Sequence, residues 1–290
     1  MTAVAAVPGT GTRWRFRSTW AVSTRLLVAM VVVLLVIVVA GPWLAPYSPT
    51  SGSAADRLLP LGAQGHLLGT DGQGRDIFSR LLVGARLSLL TGIIPVLIAG
   101  SVGSVVGVCA GLSSRLANTL IMRTLDVFYS FPSILLAIGV AAALGPSIKN
   151  AIIALSVVLI PPVARIVEAE VVALRSTAFM RVAECSGASR AAIAVRHVVP
   201  NIRSALVVYC TTLIGLSIVD AAGLSFLGLG AAPPTAEWGL MLNGARDYFF
   251  RAPAVALVPA VAILVVALLF NALGDRLRVE LDVREQGGHS

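Results

Sequence analysis

The sequence predicts an all-α integral membrane protein with six transmembrane helices, and three observations indicate this fold class. Hydrophobic residues make up 57% of the 290-residue chain and charged residues only 12%, whereas soluble domains are about 45–50% apolar and about 25% charged. Six mainly apolar runs approach the roughly 20 residues that a helix needs to cross a bilayer. The basic residues are also unevenly distributed between the segments that join these runs.

The six apolar runs follow one another along most of the chain. Several contain or adjoin a proline, but neighbouring helices can satisfy the carbonyl groups that a proline leaves free, so the count stands at six. The predicted spans are residues 26–44, 87–112, 125–144, 151–167, 205–222 and 254–273.

The distribution of arginine predicts the orientation. The net charge of +8 comes from 22 basic residues, of which Lys149 is the only lysine. Fifteen arginines fall on the side of the N-terminus, and the opposite side holds Lys149, Arg57, Arg75, Arg80, Arg86, Arg246 and Arg251. Because basic residues collect in cytoplasmic loops, both termini are predicted to be cytoplasmic. The charge therefore reflects membrane topology and does not indicate a nucleic-acid partner.

A polar, arginine-bearing segment at residues 181–201 is longer than a simple turn requires, since about four to eight residues connect most helices. Small apolar residues recur at helical spacing, at Ala188, Ala191, Ala192 and Val195, which predicts a short helix with one apolar face. Gly187 allows the chain to turn ahead of this helix. Pro200 cannot continue a helix and is expected to mark the start of the next span. From the residues alone, the helix fits either a protein partner or the lipid headgroups equally well.

The pattern G-A-S-x-x-x-I-x-x-x-H-x-x-P-N in this segment resembles the EAA loop of ABC-importer permeases. Other stretches resemble one branch of that family, the C-type permease of dipeptide, oligopeptide and nickel importers. They are LGTDGQGRDIFSRLLVGARLSLL (68–90), MRTLDVFYSFPSILLA (122–137), LSFLGLG (224–230), PPTAEWG (233–239) and FNALGDRLRVELDVR (270–284). The similarity is collinear over roughly residues 26–284.

The resemblance implies the type I ABC-importer (MetI-like) permease fold and a coupling helix that seats in a cleft of a cytoplasmic ATPase. The residues expected to take part in coupling are Arg181, Val182, Ala183, Gly187, Ala188, Ser189, Ile193, His197 and Pro200. Arg181-Val182-Ala183 stands where the family has Glu-Ala-Ala, so a base replaces an acid. Our hypothesis is that the ATPase partner of this chain presents an altered pairing at that point.

The same resemblance implies a non-catalytic, multi-pass subunit of the bacterial cytoplasmic membrane. Its partners would be a homologous second permease, two cytoplasmic ATPase domains that hold ATP and Mg, and an extracytoplasmic substrate-binding protein; the chain itself would bind no cofactor. Di- or oligopeptides are the expected substrates, with nickel or another small solute as the alternative. The chain would divide into a cytoplasmic segment 1–25, a first transmembrane helix 26–44, an extracytoplasmic loop 45–86, a permease core 87–274 with the coupling loop at 175–201, and a cytoplasmic tail 275–290.

A cluster of glycine, aspartate and arginine in the first long loop contains Asp71, Gly74, Arg75 and Asp76. It lacks the GK[ST] ending of a phosphate-binding loop. Internal ion pairs and backbone hydrogen bonds that fix a turn are the better interpretation. The resemblance adds that this ordered loop would help to receive the binding protein.

Two acidic residues lie within predicted spans, where a carboxylate normally faces protein or water and is often functional. Asp126 is expected either to reach the interface or to pair with nearby Arg123. Asp220, near the outer end of the fifth span, is a candidate for lining the pathway or holding the outer gate. Phe131 is a further candidate for the pathway or gate.

Other patterns are less specific. Gly103, Gly107 and Gly111 form a stripe that favours close helix packing. The three histidines are scattered, so no metal site is predicted, and no nucleophile–base pair is apparent. A gradient-driven secondary transporter is the alternative from another class, but it would be expected to show paired inverted repeats, which the sequence lacks.

Overall fold

The computed structural model describes residues 17–287, with side-chain positions for residues 24–183 and 185–280, so the predictions for residues 1–16 and 288–290 lie outside the described part. Within it the chain forms helices and no extended strand, which confirms the all-α fold class. The helices are α1 (Arg17–Leu44), α2 (Ile77–Leu112), α3 (Arg115–Tyr129), α4 (Ser133–Leu144), α5 (Ile148–Arg175), α6 (Ala178–Cys185), α7 (Arg190–Ile193), α8 (Val199–Phe226), α9 (Trp238–Ala245) and α10 (Ala254–Gly287).

Among the described residues, five helical stretches are long and apolar enough to span a membrane, and the pair α3–α4 is a sixth if it counts as one span. The predicted third span, 125–144, is therefore wrong as a straight helix, because α3 and α4 meet at an angle of 84°. Pro132 ends the helical hydrogen-bond pattern and disfavours a helical backbone at Phe131. Apolar composition alone carries no information about such an angle.

Several helices are longer than their apolar runs. α2 begins ten residues before the predicted span, and α5 and α10 continue beyond theirs into charged sequence. Backbone hydrogen bonding does not end where hydropathy falls, so the helices extend past the apolar layer at either end. We call the end of the bundle that carries α6 and α7 the loop end; it is the end that the arginine distribution predicts to be cytoplasmic.

The glycine stripe of α2 packs directly on α5. Gly103, Gly107 and Gly111 face three valines at the same four-residue spacing, Val163, Val167 and Val171. A methyl group added at any of these glycines would lie 2.7–2.8 Å from the facing valine. Because the residue numbers rise together on both helices, α2 and α5 run parallel, and the glycines allow their backbones to approach closely.

α8 begins at Val199 with Pro200 in its first turn, as predicted, but the chain ahead of it is already helical. Residues 190–226 form a continuous helical stretch of 37 residues, with a π-helical turn at Ala194–Val198 just before the proline. Pro200 has no N–H to donate, and its ring conflicts with the carbonyl one turn earlier. A wider turn at this point relieves that conflict, so the proline lies inside the helix.

Candidate functional site

The segment between α5 and α8 is an ordered helix–turn–helix. Gly187 adopts a left-handed backbone with φ of 76°, which residues with a side chain rarely adopt. Ser189 then caps α7, since its hydroxyl oxygen accepts a hydrogen bond of 3.3 Å from the N–H of Ala192. The glycine turns the chain and the serine starts the next helix.

The predicted coupling residues divide into an inward and an outward set. Ile193 is only 4% exposed and packs with fully buried Met180 and Val198 against α2 and α5. Val182 is 68% exposed, and Val195, which was predicted as part of the apolar helix face, is 69% exposed. The other predicted coupling residues are exposed Arg181, Gly187, Ser189 and Pro200, and half-buried Ala183, Ala188 and His197. The inward set anchors the segment, and the outward set presents apolar surface at the loop end.

A chamber of about 320 Å³ lies where α3 breaks into α4. Phe131 at the break and Asp220 of α8 both line it, together with Tyr129 and Leu216. The structure thus brings two of the three pathway candidates to one cavity. Its wall is mainly apolar and aromatic, with Asp220 as its one carboxylate among the described residues.

Asp126, the third candidate, does not line this chamber. It forms an ion pair with Arg165 of α5 and does not pair with Arg123, the partner considered from the sequence. The reason is that α3 crosses α5, so a residue distant in sequence lies closer. The Arg165 guanidinium also lies 5.9 Å from the centroid of the Tyr129 ring, and Tyr129 itself lines the chamber.

The aspartates of the first long loop hold its backbone. Asp71 accepts hydrogen bonds from the N–H groups of Gln73 and Arg75, at 2.8 and 3.1 Å, and from Nε of Arg75 at 2.7 Å. Asp76 caps α2 through the N–H of Ser79 at 2.7 Å. Its other oxygen lies 2.9 Å from Nδ1 of His66. Gly74 is left-handed, with φ of 72°, and completes the turn.

Arg80 joins this loop to the segment before α9, a role that sequence reasoning missed. Its side chain is 2% exposed and lies 3.5 Å from the Asp71 carboxylate. It donates hydrogen bonds to the carbonyl oxygens of Pro49 at 2.6 Å and Thr235 at 3.2 Å. The available signal was an arginine at the start of a long apolar helix, because a charge in that position needs partners.

Glu237 is the second residue that sequence reasoning missed. It is 1% exposed and caps α9 through the N–H groups of Gly239 and Leu240 at 2.9 and 2.8 Å. It also accepts a hydrogen bond of 3.1 Å from the Ser88 hydroxyl of α2. These contacts fix α9 inside the bundle. Across the described residues, no group of three or more His, Cys, Asp or Glu side chains is placed to share a metal ion.

Apolar helices around a chamber, with an ordered helical loop at one end, define a membrane transport subunit. Residues 103–283 match the family of binding-protein-dependent transport system inner membrane components. The chain belongs to this family: it is a multi-pass inner-membrane permease of a bacterial ABC importer, a transport subunit and not a catalytic one.

Individual relatives agree with this assignment. The chain is 45% identical over 273 residues to the glutathione transport system permease protein GsiD of Escherichia coli O6:K15:H31 (strain 536 / UPEC), covering 94% of this chain and 89% of the relative. It is 44% identical over the same length to GsiD of Shigella dysenteriae serotype 1 (strain Sd197), with the same coverage. Among solved structures, an inward-facing MetNI methionine ABC transporter chain matches with a TM-score of 0.57 and 20% identity, over 69% of this chain and 95% of that one. This match confirms the type I importer fold.

Proposed function

We propose that segment 181–201 passes movement of cytoplasmic ATPases to the translocation pathway, and that α8 carries this movement. One observation supports the proposal most directly. The helix that starts in the loop at Arg190 is continuous to Phe226 and carries Asp220, which lines the chamber. At about 1.5 Å per residue, the part of this helix between Arg190 and Asp220 connects the two sites over roughly 45 Å.

The other end of the loop follows α5 directly. Thr177 and Ser176 form a tight turn between α5 and α6, in which their N–H groups bond to the carbonyls of Leu174 and Ala173 at 3.1 and 3.2 Å. A displacement of the loop therefore acts on α5 and α8 together. Both helices line the chamber, so their relative movement changes its shape.

We further propose that a short peptide is the substrate. The relatives that support this are named for glutathione transport, and glutathione is a tripeptide. Nickel or another small solute is the alternative within the same mechanism.

A homologous second permease would complete the pathway, an extracytoplasmic binding protein would deliver the substrate, and two cytoplasmic ATPase domains would bind ATP and Mg. Both termini and the loop end would be cytoplasmic; Asp71, Gly74, Arg75 and Asp76 would order the loop that receives the binding protein.

The test is ATP-dependent uptake of radiolabelled glutathione by proteoliposomes that contain this chain, its partner permease and the ATPases, with the binding protein outside. Val195→Glu places a charge on the exposed apolar surface of the loop, and we expect it to abolish uptake and release the ATPases on purification. Val195→Ala keeps a small apolar surface and is the matched control. Ser51→Glu adds the same charge in the first long loop, away from the loop end, and should leave the ATPases bound on purification.

The proposal on coupling is contradicted if Val195→Glu retains both the ATPases and normal uptake. Uptake driven by an ion gradient with the ATPases absent would contradict the ABC mechanism for this complex. Ala188 is less suitable for the test than Val195, because it is half-buried against the core and a bulky substitution there would disturb the fold itself.

A further inference from the structure

A second cavity, of about 440 Å³, lies at the loop end between α5, α8 and α10. We call it the vestibule. This volume is within the roughly 300–1,000 Å³ of small-molecule sites in proteins. The polar side chains that line it are Glu170, Asn201, Ser204, Tyr209, Thr212, Asp275 and Arg278.

The vestibule and the chamber follow each other along one face of α8. Asn201 and Ala205 line the vestibule, Leu216 and Asp220 line the chamber, and Tyr209 lines both. These residues recur every three to four positions or multiples of that spacing, so they share one side of the helix. Tyr209 therefore marks the boundary between the two cavities.

The chemistry changes at that boundary. On the chamber side Asp220 is surrounded by apolar and aromatic groups, whereas the vestibule has two carboxylates, Glu170 and Asp275, and one guanidinium, Arg278. In the described part of the chain, these three side chains form no ion pair or hydrogen bond with one another or with other residues. Their charges remain available to a molecule in the cavity.

We propose that the vestibule is a binding site for the charged ends of a short zwitterionic peptide on its way to the cytoplasm. Glu170 and Asp275 would hold the ammonium group, Arg278 would hold the carboxylate, and Tyr209 would separate this site from the chamber. Cavities that hold both signs of charge fit a ligand that carries both, and each charge-assisted hydrogen bond strengthens binding. The proposal rests on the proposed peptide substrate and adds where in this chain the substrate's charges are recognised.

The experiment measures equilibrium binding of radiolabelled glutathione to the complete permease–ATPase complex in nanodiscs, without the binding protein. We expect saturable binding that unlabelled dialanine displaces and that N-acetyl-dialanine amide, which has neither end charge, does not displace. Glu170→Gln, Asp275→Asn and Arg278→Gln should each weaken binding about tenfold, as expected for loss of a hydrogen bond to a charged group.

Controls use charged residues on the same helices that lie outside the vestibule lining. Glu280→Gln on α10 and Arg203→Gln on α8 should leave the affinity unchanged. Arg278→Lys keeps the positive charge and should retain most of the binding, and co-elution with the ATPases shows that each variant is folded. Tyr209→Phe keeps the ring and should change the affinity for glutathione little. Tyr209→Ala removes the ring that separates the vestibule from the chamber and should join the two cavities.

Three results would overturn the proposal: no saturable binding of glutathione or dialanine, equal displacement by the capped dipeptide, or equal affinities for lining and control variants. Uptake by the complete transporter decides the substrate separately. If the vestibule binds dialanine but glutathione is not imported, the proposed substrate is wrong and the vestibule proposal stands. If glutathione is imported and the vestibule variants bind normally, only the vestibule proposal is wrong.

Discussion

The side-chain amide of Asn118 in α3 donates a hydrogen bond of 2.7 Å to the carboxylate of Glu168 in α5. About one turn earlier on α5, Arg165 forms the ion pair with Asp126 of α3. α3 has no buried residue among its fifteen, so apolar packing holds it weakly. These two polar links therefore fix the position of α3, and with it the break at which Phe131 enters the chamber.

The Asp126–Arg165 pair should affect transport more than stability. Asp126→Arg and Arg165→Asp each place two like charges together. We expect either variant to lower ATP-dependent uptake about tenfold, because a tenfold change corresponds to an energy within the range of interaction energies between contacting residues. The melting temperature should change little, because a half-exposed pair contributes only about 0–1 kcal/mol. The measurement is uptake by proteoliposomes alongside thermal unfolding.

The exchanged double variant is the control for that prediction. Asp126→Arg combined with Arg165→Asp restores opposite charges and should recover a large part of the lost uptake. A double variant as inactive as the single ones would show that the charges act through something other than their mutual contact.

The contact of α2 with α5 should tolerate no added volume. In Gly107→Ala the new methyl group would lie 2.7 Å from Val167, and such overpacking costs about 1–3 kcal/mol. We expect a lower melting temperature of the purified permease. Gly139→Ala is the control, since no atom lies within 4 Å of its added methyl group and alanine favours a helix by up to about 1 kcal/mol. A stabilised Gly107→Ala variant would contradict the close packing.

The fold class and the glycine stripe were predictable because both depend on residue type at regular spacing. Apolar runs of bilayer length identify spans, and Gly103, Gly107 and Gly111 recur at the spacing that brings them to one helix face. The resemblance located the loop and its turn at Gly187. Each of these is a local property of the chain.

What the sequence did not predict depends on contacts between distant residues. The partner of Asp126 is 39 positions away, and Arg80 bonds to a carbonyl 155 positions away. The bend at Phe131 and the passage of the helix through Pro200 depend on how the surrounding helices support irregular backbone. Hydropathy gives the length of a span but neither its angle nor its neighbours.

Arg80 should be needed to hold the loop of residues 45–76 in place. Arg80→Met removes the hydrogen bonds to Pro49 and Thr235 and leaves Asp71 with one cation fewer, and breaking a buried polar set of this kind costs about 3–5 kcal/mol. We expect faster proteolysis of the loop in proteoliposomes and loss of stimulation by the binding protein. Arg86→Met on the same helix is the control, because Arg86 is exposed. Equal protease resistance of the two variants would show that Arg80 does not fix the loop.

Arg181 provides the most direct test of how this chain differs from its family at the loop. The side chain is exposed, so substitution should not disturb folding, and a change in activity reports on the partner surface. If the ATPase has a complementary acidic surface there, Arg181→Glu should lower ATP hydrolysis stimulated by the loaded binding protein. We expect the rate to fall about two- to fivefold, consistent with up to about 1 kcal/mol for an exposed charge pair. The deficit should shrink as salt rises from 0.05 to about 0.5 M, because screening weakens exposed charges, and Arg181→Lys should behave like the wild type. An unchanged rate at low salt would mean that position 181 does not contribute to coupling and that the family's glutamate has no counterpart in this complex.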